Sequence, residues 1–304
     1  MKYWTMKYVR RIVNYISYII AFCLVIFSFL FAIHFPRVIL PQITQSPLIR
    51  SYFSPSITPL PLVSLAPITS GKILSEEILY PQLLNHLVKI NNLVTGTSGS
   101  GVIIWAGKDY RNTEHTFILT NRHVLPVGTP GTIEVFDYLN FRDIESVKVF
   151  PAFSVTQSSS ADLALVEVLS SDSWASRADF ISSEDFEQMP LYTELLIVGC
   201  GLGNPPFISS GRIIIFDKEQ LMLNGFSIYG CSGGGVFDHR GRLVSLTSKI
   251  GMVHINNHDH PITNISISIP VNVICDWLLE TKYKFIVNSN LGSLNDIFKP
   301  KKYY

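Results

Sequence analysis

Cysteine is scarce: four in 304 residues, at Cys23, Cys200, Cys231 and Cys275. That is too few and too scattered for a disulfide scaffold or a zinc ligand set. Charge is scarce too, at 15% of residues, and neither sign dominates, with 24 Lys and Arg against 23 Asp and Glu. A nucleic-acid binder normally shows a marked basic excess, and none is present. There is no internal repeat. A mean hydropathy of +0.28 with so few charges excludes a disordered chain or a coiled coil. What remains is a chain long enough for one or two domains with a sizeable core.

The longest apolar run is Ile12–Ile33, 22 residues without a charge. At 1.5 Å per residue it spans about 33 Å as a helix, enough for a bilayer core. Lys2, Lys7, Arg10 and Arg11 precede it, and only Arg37 and Arg50 follow before Lys72. The positive-inside rule then puts residues 1–11 in the cytoplasm, a signal anchor at 12–35 across the membrane, and the rest outside. A cleaved signal peptide is the rival reading. The run is longer than such a peptide's apolar core, and Ala32-Ile33-His34-Phe35 is a poor cleavage site. Seven of the seventeen prolines fall in 36–70, so residues 36–74 read as an extended stalk.

From residue 75 the texture changes to short apolar runs between turn residues. An amphipathic stretch over Glu76–Asn92 leads into strand candidates at 101–105, 116–120, 132–136, 147–150, 163–168, 194–199, 212–216, 220–223, 235–237, 242–247 and 265–269. Many short strands with few helical periods between them predict an all-β barrel or sandwich. One helix is expected at Val271–Leu279, after Pro270, with apolar residues at i, i+3, i+4 and i+7.

Three segments carry chemistry. In Leu119-Thr120-Asn121-Arg122-His123-Val124 a histidine sits just past a strand. In Asp162-Leu163-Ala164-Leu165-Val166 an aspartate opens a very apolar strand. The third is Gly230-Cys231-Ser232-Gly233-Gly234. Glycines around Ser232 permit tight backbone conformations, so the N–H groups of Gly230 and Ser232 can aim at one point, as an oxyanion hole requires. A serine hydroxyl needs a base, and His123 is the candidate; a carboxylate must orient the imidazole, and Asp162 is the candidate. The order His, Asp, Ser, with gaps of 39 and 70 residues in an all-β pattern, is far more specific than any one segment.

On these segments the chain resembles the trypsin-like serine proteases, in particular the HtrA-like branch, from about Leu87 to Leu279. Leu87-Val88-Lys89-Ile90 with Gly99-Ser100-Gly101-Val102 is similar to that family's first strands. Val198–Pro205 and Ser210–Ile214 resemble the segments before the nucleophile, and Gly241–Val244 and Ile267–Pro270 its closing strands. The resemblance implies two six-stranded antiparallel β-barrels of the chymotrypsin type with a C-terminal helix. It implies a catalytic domain at 75–283, a tail at 284–304 too short for a PDZ domain, and no metal or organic cofactor. Two residues depart from the pattern. Gly235 stands where proline is usual, and Cys231 stands where a polar residue is common. Cys231 itself fits the nucleophile position poorly, because Tyr229 and Ser232 would flank it where glycines belong.

The resemblance also places the pocket for the side chain before the scissile bond between Phe226–Tyr229 and Thr247–Ile250, backed by Ile265–Ile267. Phe226 is expected at its base, with Ser248 and Ile250 along its wall, giving a shallow apolar pocket for Val, Ala, Ile or Leu. His254, His258 and His260 are expected in a solvated loop rather than a metal site. Asn264-Ile265-Ser266 fits a glycosylation sequon, and a bond between Cys200 and Cys275 stays open. The expected function is a membrane-tethered serine endopeptidase acting on unfolded or extended polypeptides, anchored in a lipid bilayer and without nucleic acid. The alternative is a catalytically inactive barrel serving as a membrane-anchored binding module.

Overall fold

A computed structural model describes residues 73–136, 148–170, 176–255 and 258–288, with 293, 294 and 297. The expected cytoplasmic end, membrane anchor and stalk lie outside the described residues, as does most of the tail. Among the described residues no helix is long and apolar enough to cross a membrane.

The chain opens with helix α1, Glu76–Asn85, and then forms a first barrel. Its strands are β1 (Leu87–Asn92), β2 (Ser98–Lys108), β3 (Glu114–Thr120), β4 (Pro130–Val135), β5 (Lys148–Gln157) and β6 (Ala164–Ser170). They close in the order β1-β2-β3-β6-β5-β4, every pairing antiparallel. The second barrel uses β8 (Glu194–Gly199), β9 (Phe207–Phe216), β10 (Leu221–Leu223), β11 (Gly235–Phe237), β12 (Arg242–Ile255) and β13 (His258–Pro270). These run β11-β8-β9-β10-β13-β12, and a β11–β12 pairing closes the ring. A two-residue strand, β7 (Asp179–Phe180), adds to β12 in parallel. A short helix, α2 (Ser183–Glu187), bridges the halves, and α3 (Val271–Leu279) follows Pro270 over the residues expected.

The central stretches of β2, β3 and β8 read as continuous apolar runs because both of their faces are buried. Along β2 and β3, Ile103 and Ile118 point into the first barrel with Val166 and Val168. Their neighbours Val102, Ile104, Phe117 and Leu119 point the other way, into a core shared with the second barrel. In β8, Leu195 and Ile197 fill the second barrel while Leu196 and Val198 join the shared core. This is the period-two alternation of a strand with apolar surroundings on both sides. Leu79 and Leu83 of α1 and Ile274, Trp277 and Leu278 of α3 seal the shared core. Phe285 and Leu294, expected in a tail beyond the domain, are buried in it as well.

Each expected strand overlaps a strand of the structure, and four of them run one residue past its bounds at one end. The larger difference lies beyond residue 250, where a loop carrying His254, His258 and His260 was expected. There β12 and β13 continue to pair up to Ile255 and His258. Val253, Ile255 and Ile262 have the β-branched side chains that suit a ribbon. The three histidines are exposed along it, and His254 Nδ1 meets Asp259 Oδ1 at 2.9 Å. Among the described residues no cluster fit to hold a metal ion is found.

Candidate active site

The shared core brings the ends of strands from both barrels to one place. β3 ends at Thr120, and the turn after it carries Asn121 and His123. Asp162 lies two residues before β6, the antiparallel neighbour of β3, so the pairing Thr120↔Ala164 sets the two side chains close together. His123 Nδ1 is 2.6 Å from Asp162 Oδ2, and the His123 N–H donates to Asp162 Oδ1 at 3.1 Å. Asn121 Nδ2 donates to the Asp162 carbonyl at 2.9 Å, which fixes the turn to the strand. Burial pushes the Asp162 carboxyl up. The hydrogen bonds and charge of His123, with a hydrogen bond from Ser248, outweigh this and hold it below the ordinary carboxylate value.

The second barrel supplies Ser232 from the turn between β10 and β11. Gly230 has φ +95 and Gly233 φ +82, both in the region that favours glycine. A Cβ on Gly233 would stand 2.1 Å from the Ser100 carbonyl oxygen, and one on Gly230 2.6 Å from that of Cys200. Ser100, in β2 of the first barrel, holds this turn. Its N–H donates to the Ser232 carbonyl at 2.8 Å and its hydroxyl to the Gly230 carbonyl at 2.7 Å. The Cys231 N–H goes to Ile228, Gly233 N–H to Thr247, and Gly234 N–H to Cys231. Among the described residues the N–H groups of Gly230 and Ser232 meet no protein acceptor. Both residues are half-buried, so these two N–H groups stay open to an incoming acceptor beside the Ser232 hydroxyl.

Ser248 joins the halves. Its hydroxyl donates to Asp162 Oδ2 at 3.1 Å, and its carbonyl accepts from Ser232 Oγ at 3.2 Å. Register shifts in β12 between Thr247 and Lys249, and between Ile250 and Gly251, flank it. Such bulges re-aim side chains. His123 and Asp162 are therefore in direct contact, and Ser232 reaches the same carboxylate through Ser248. No hydrogen bond joins Ser232 Oγ to the His123 ring among the described residues. Catalytic hydrogen bonds of this kind often tighten only once substrate is bound.

Cys231 is buried, and burial pushes its thiol up, which disfavours the nucleophilic thiolate. Burial pushes Cys200 to about 12, and Cys200, Cys231 and Cys275 are all free thiols. Gly235 has a local reason, since a Cβ there would stand 2.3 Å from the Phe237 ring. Beside Asp162 a cavity of about 370 Å³ opens between β12, β13 and α3, with Trp277 and Ile267 in its wall and Glu219 and Glu280 among its lining.

The three expected pocket residues take different environments. Phe226, expected at the base, is 44% exposed and stacks on Phe207 with ring centroids 5.8 Å apart. The alternation of an extended segment turns its neighbour Ser227 inward instead, and Ser227 is fully buried. Ile250 is half-buried where a wall was expected, and Ser248 touches Asp162 and Ser232. The bracing by Ser100 and the link through Ser248 were not read from the sequence. The only signal for Ser100 was its place between Gly99 and Gly101, where added Cβ atoms would meet Val124 at 2.7 Å and Ile118 at 2.5 Å.

Residues 99–246 match a family model described as the trypsin-like peptidase domain. The matched stretch includes His123, Asp162 and Ser232. No curated protein matches the chain.

Proposed function

From a chain whose residues 99–246 form a trypsin-like peptidase domain, we propose a membrane-tethered serine endopeptidase that cleaves unfolded or extended polypeptides. The observation that carries this reading is the His123–Asp162 hydrogen bond at 2.6 Å set beside Ser232 and two unpaired backbone donors. In the proposed reaction Ser232 Oγ attacks the scissile carbonyl while His123 Nε2 takes its proton. The bond from Oγ to carbon forms, and the carbonyl oxygen gains the negative charge. Gly230 and Ser232 N–H groups hold that oxygen. His123 then gives the proton to the amine nitrogen, the C–N bond breaks, and the acyl chain stays on Ser232. Water repeats the sequence and releases the acid. Asp162 remains ionised throughout, orients the imidazole and stabilises its charged form.

Polypeptide substrates in extended form suit the edge of β12. Up to Leu246 that edge pairs with β11, but beyond Ser248 it has no strand partner among the described residues. A substrate segment adds to such an edge by backbone hydrogen bonds. The tether rests on the 22-residue apolar run and its flanking cations.

A second reading has one observation in its favour: Ser232 Oγ donates to Ser248 rather than to His123. On that reading the barrel binds extended peptides without cleaving them. Incubating the full chain in detergent with an unfolded polypeptide decides between the two. Cleavage that disappears in Ser232→Ala supports the endopeptidase; retention of intact substrate by both proteins supports the binding module. Protease added to right-side-out vesicles should trim the stalk at 36–74, and its protection would reverse the proposed orientation.

A further inference from the structure

Among the described residues, three buried hydroxyls without a hydrogen-bond partner belong to the expected pocket: Ser227 Oγ, Thr247 Oγ1 and Ser266 Oγ. Their residues are 0%, 1% and 0% exposed. Buried polar groups are nearly always satisfied, so each orphan calls for an explanation. Ser154 Oγ in the first barrel and Asn272 Oδ1 on α3 lie apart from these three, and Asn121 Oδ1 lies in the turn that carries His123.

Topology places the three together. Thr247 pairs with Ser268 across β12 and β13, so their side chains share one face of the ribbon. Ser268 Oγ lies 2.9 Å from Ser245 Oγ inside the barrel, which makes that face the inner one. Ser266, two residues before Ser268, is on the same face, diagonal to Thr247. Ser227 enters from the segment leading to Ser232, where its N–H donates to the Thr263 carbonyl of β13 at 2.7 Å. Its hydroxyl lies against the Cys231 thiol, a weak hydrogen-bonding partner that leaves it open to a stronger one.

The same residues adjoin the nucleophile. Thr247 accepts from Gly233 N–H and donates to the Gly234 carbonyl, directly beneath Ser232, and Ser227 lies five residues ahead of it. A peptide whose carbonyl sits on Ser232 Oγ must send the side chain of that residue between these two segments. No Asp, Glu, Lys, Arg or His lies in 221–236. Lys249, the one charged residue in 243–250, is exposed.

We propose that Ser227, Thr247 and Ser266 form a specificity pocket for an uncharged hydrogen-bonding side chain, the carboxamide of Gln or Asn, at the position before the scissile bond. A carboxamide brings one oxygen that accepts and one nitrogen that donates, and hydroxyls do both. An apolar side chain gains no hydrogen bond from the three hydroxyls, whereas a carboxamide does, and that difference sets the preference. A carboxylate enters a site with no cation to offset its burial. This preference replaces the apolar one expected when Phe226 was placed at the base. It rests on the endopeptidase reading for its meaning, but its test does not need turnover.

The test uses the full chain carrying Ser232→Ala, in detergent, with acetylated extended peptides that differ only in their C-terminal residue. Binding is measured by calorimetry. Peptides ending in Gln or Asn should bind roughly 10–100-fold more tightly than those ending in Met or Leu. Ser227→Ala and Ser266→Ala, made separately on this background, should each shrink that ratio by weakening the binding of the Gln- and Asn-ended peptides. Tightest binding of Leu- or Met-ended peptides, of Glu-ended ones, or no discrimination overturns the proposal. Cleavage by the unmodified chain is scored separately, so a carboxamide preference with an inactive enzyme would keep the pocket and remove the catalytic reading.

Discussion

The two barrels have the same strand order and similar apolar cores, yet they treat their polar groups in opposite ways. The first barrel delivers a closed pair. His123 and Asp162 satisfy each other twice, and Asn121 ties the Asp162 backbone to the same turn. The second barrel delivers open groups. Ser232 sits in a glycine-rich turn, two N–H groups beside it are unpaired, and three hydroxyls below it lack partners. On the proposed function, the half that moves protons is finished before substrate arrives, and the half that touches substrate keeps hydrogen bonds for a polypeptide to complete. Preorganisation on one side and unfilled donors on the other is what differential binding of a transition state requires.

The strongest way to break this comparison is to remove one member from each half. Ser232→Ala and His123→Ala should each lower peptide hydrolysis by roughly a millionfold, and the double variant should be no worse than either. Additive losses in initial rates would mean the halves do not act as a unit. Asp162→Asn should cost about 10⁴ in turnover, by leaving the imidazole in the wrong tautomer. The same change carries a pH signature. The Asp162 carboxyl lies below its ordinary value in the folded chain, so its stabilisation is present above the unfolded value near 3.8 and is lost as pH falls through the folded value. The stability gap between the native chain and Asp162→Asn, measured by denaturant melts, should therefore close in acid and stay open at neutral pH.

Three smaller changes sharpen the contrast. Gly233→Ala forces a side chain at φ +82 into the Ser100 carbonyl and should destabilise the fold by about 3 kcal/mol. Gly96→Ala, at φ +69 with open space around it, should cost only about 1 kcal/mol by the same melts. Ser248→Ala removes the hydrogen bond between the halves without touching the base or the nucleophile. It should lower kcat about tenfold with little change in KM.

Most of the architecture was legible because the strands announce themselves. Leu163–Val166 and Leu195–Val198 are apolar at every position since both faces are buried, and Val271–Leu279 repeats with a helical period. The long β12–β13 ribbon was not legible, because a histidine-rich stretch reads as solvated whether it loops or pairs. The candidate site was legible where chemistry needs rare residues in order: a histidine after a strand, an aspartate before one, a serine among glycines. It was illegible where common residues act through placement. Ser100 and Ser248 are ordinary serines until the barrels meet. The inward turn of Ser227 in place of Phe226 is a matter of one residue's phase, which sequence alone does not set.

The central claim is that the closed pair of the first barrel activates a serine held by the second. A fluorophosphonate reacts only with a serine whose proton is being taken, so labelling of the full chain followed by peptide mapping tests that claim most directly. The expected result is a single adduct on Ser232, abolished by Ser232→Ala and by His123→Ala. An unlabelled native chain, or labelling that survives His123→Ala, would contradict it.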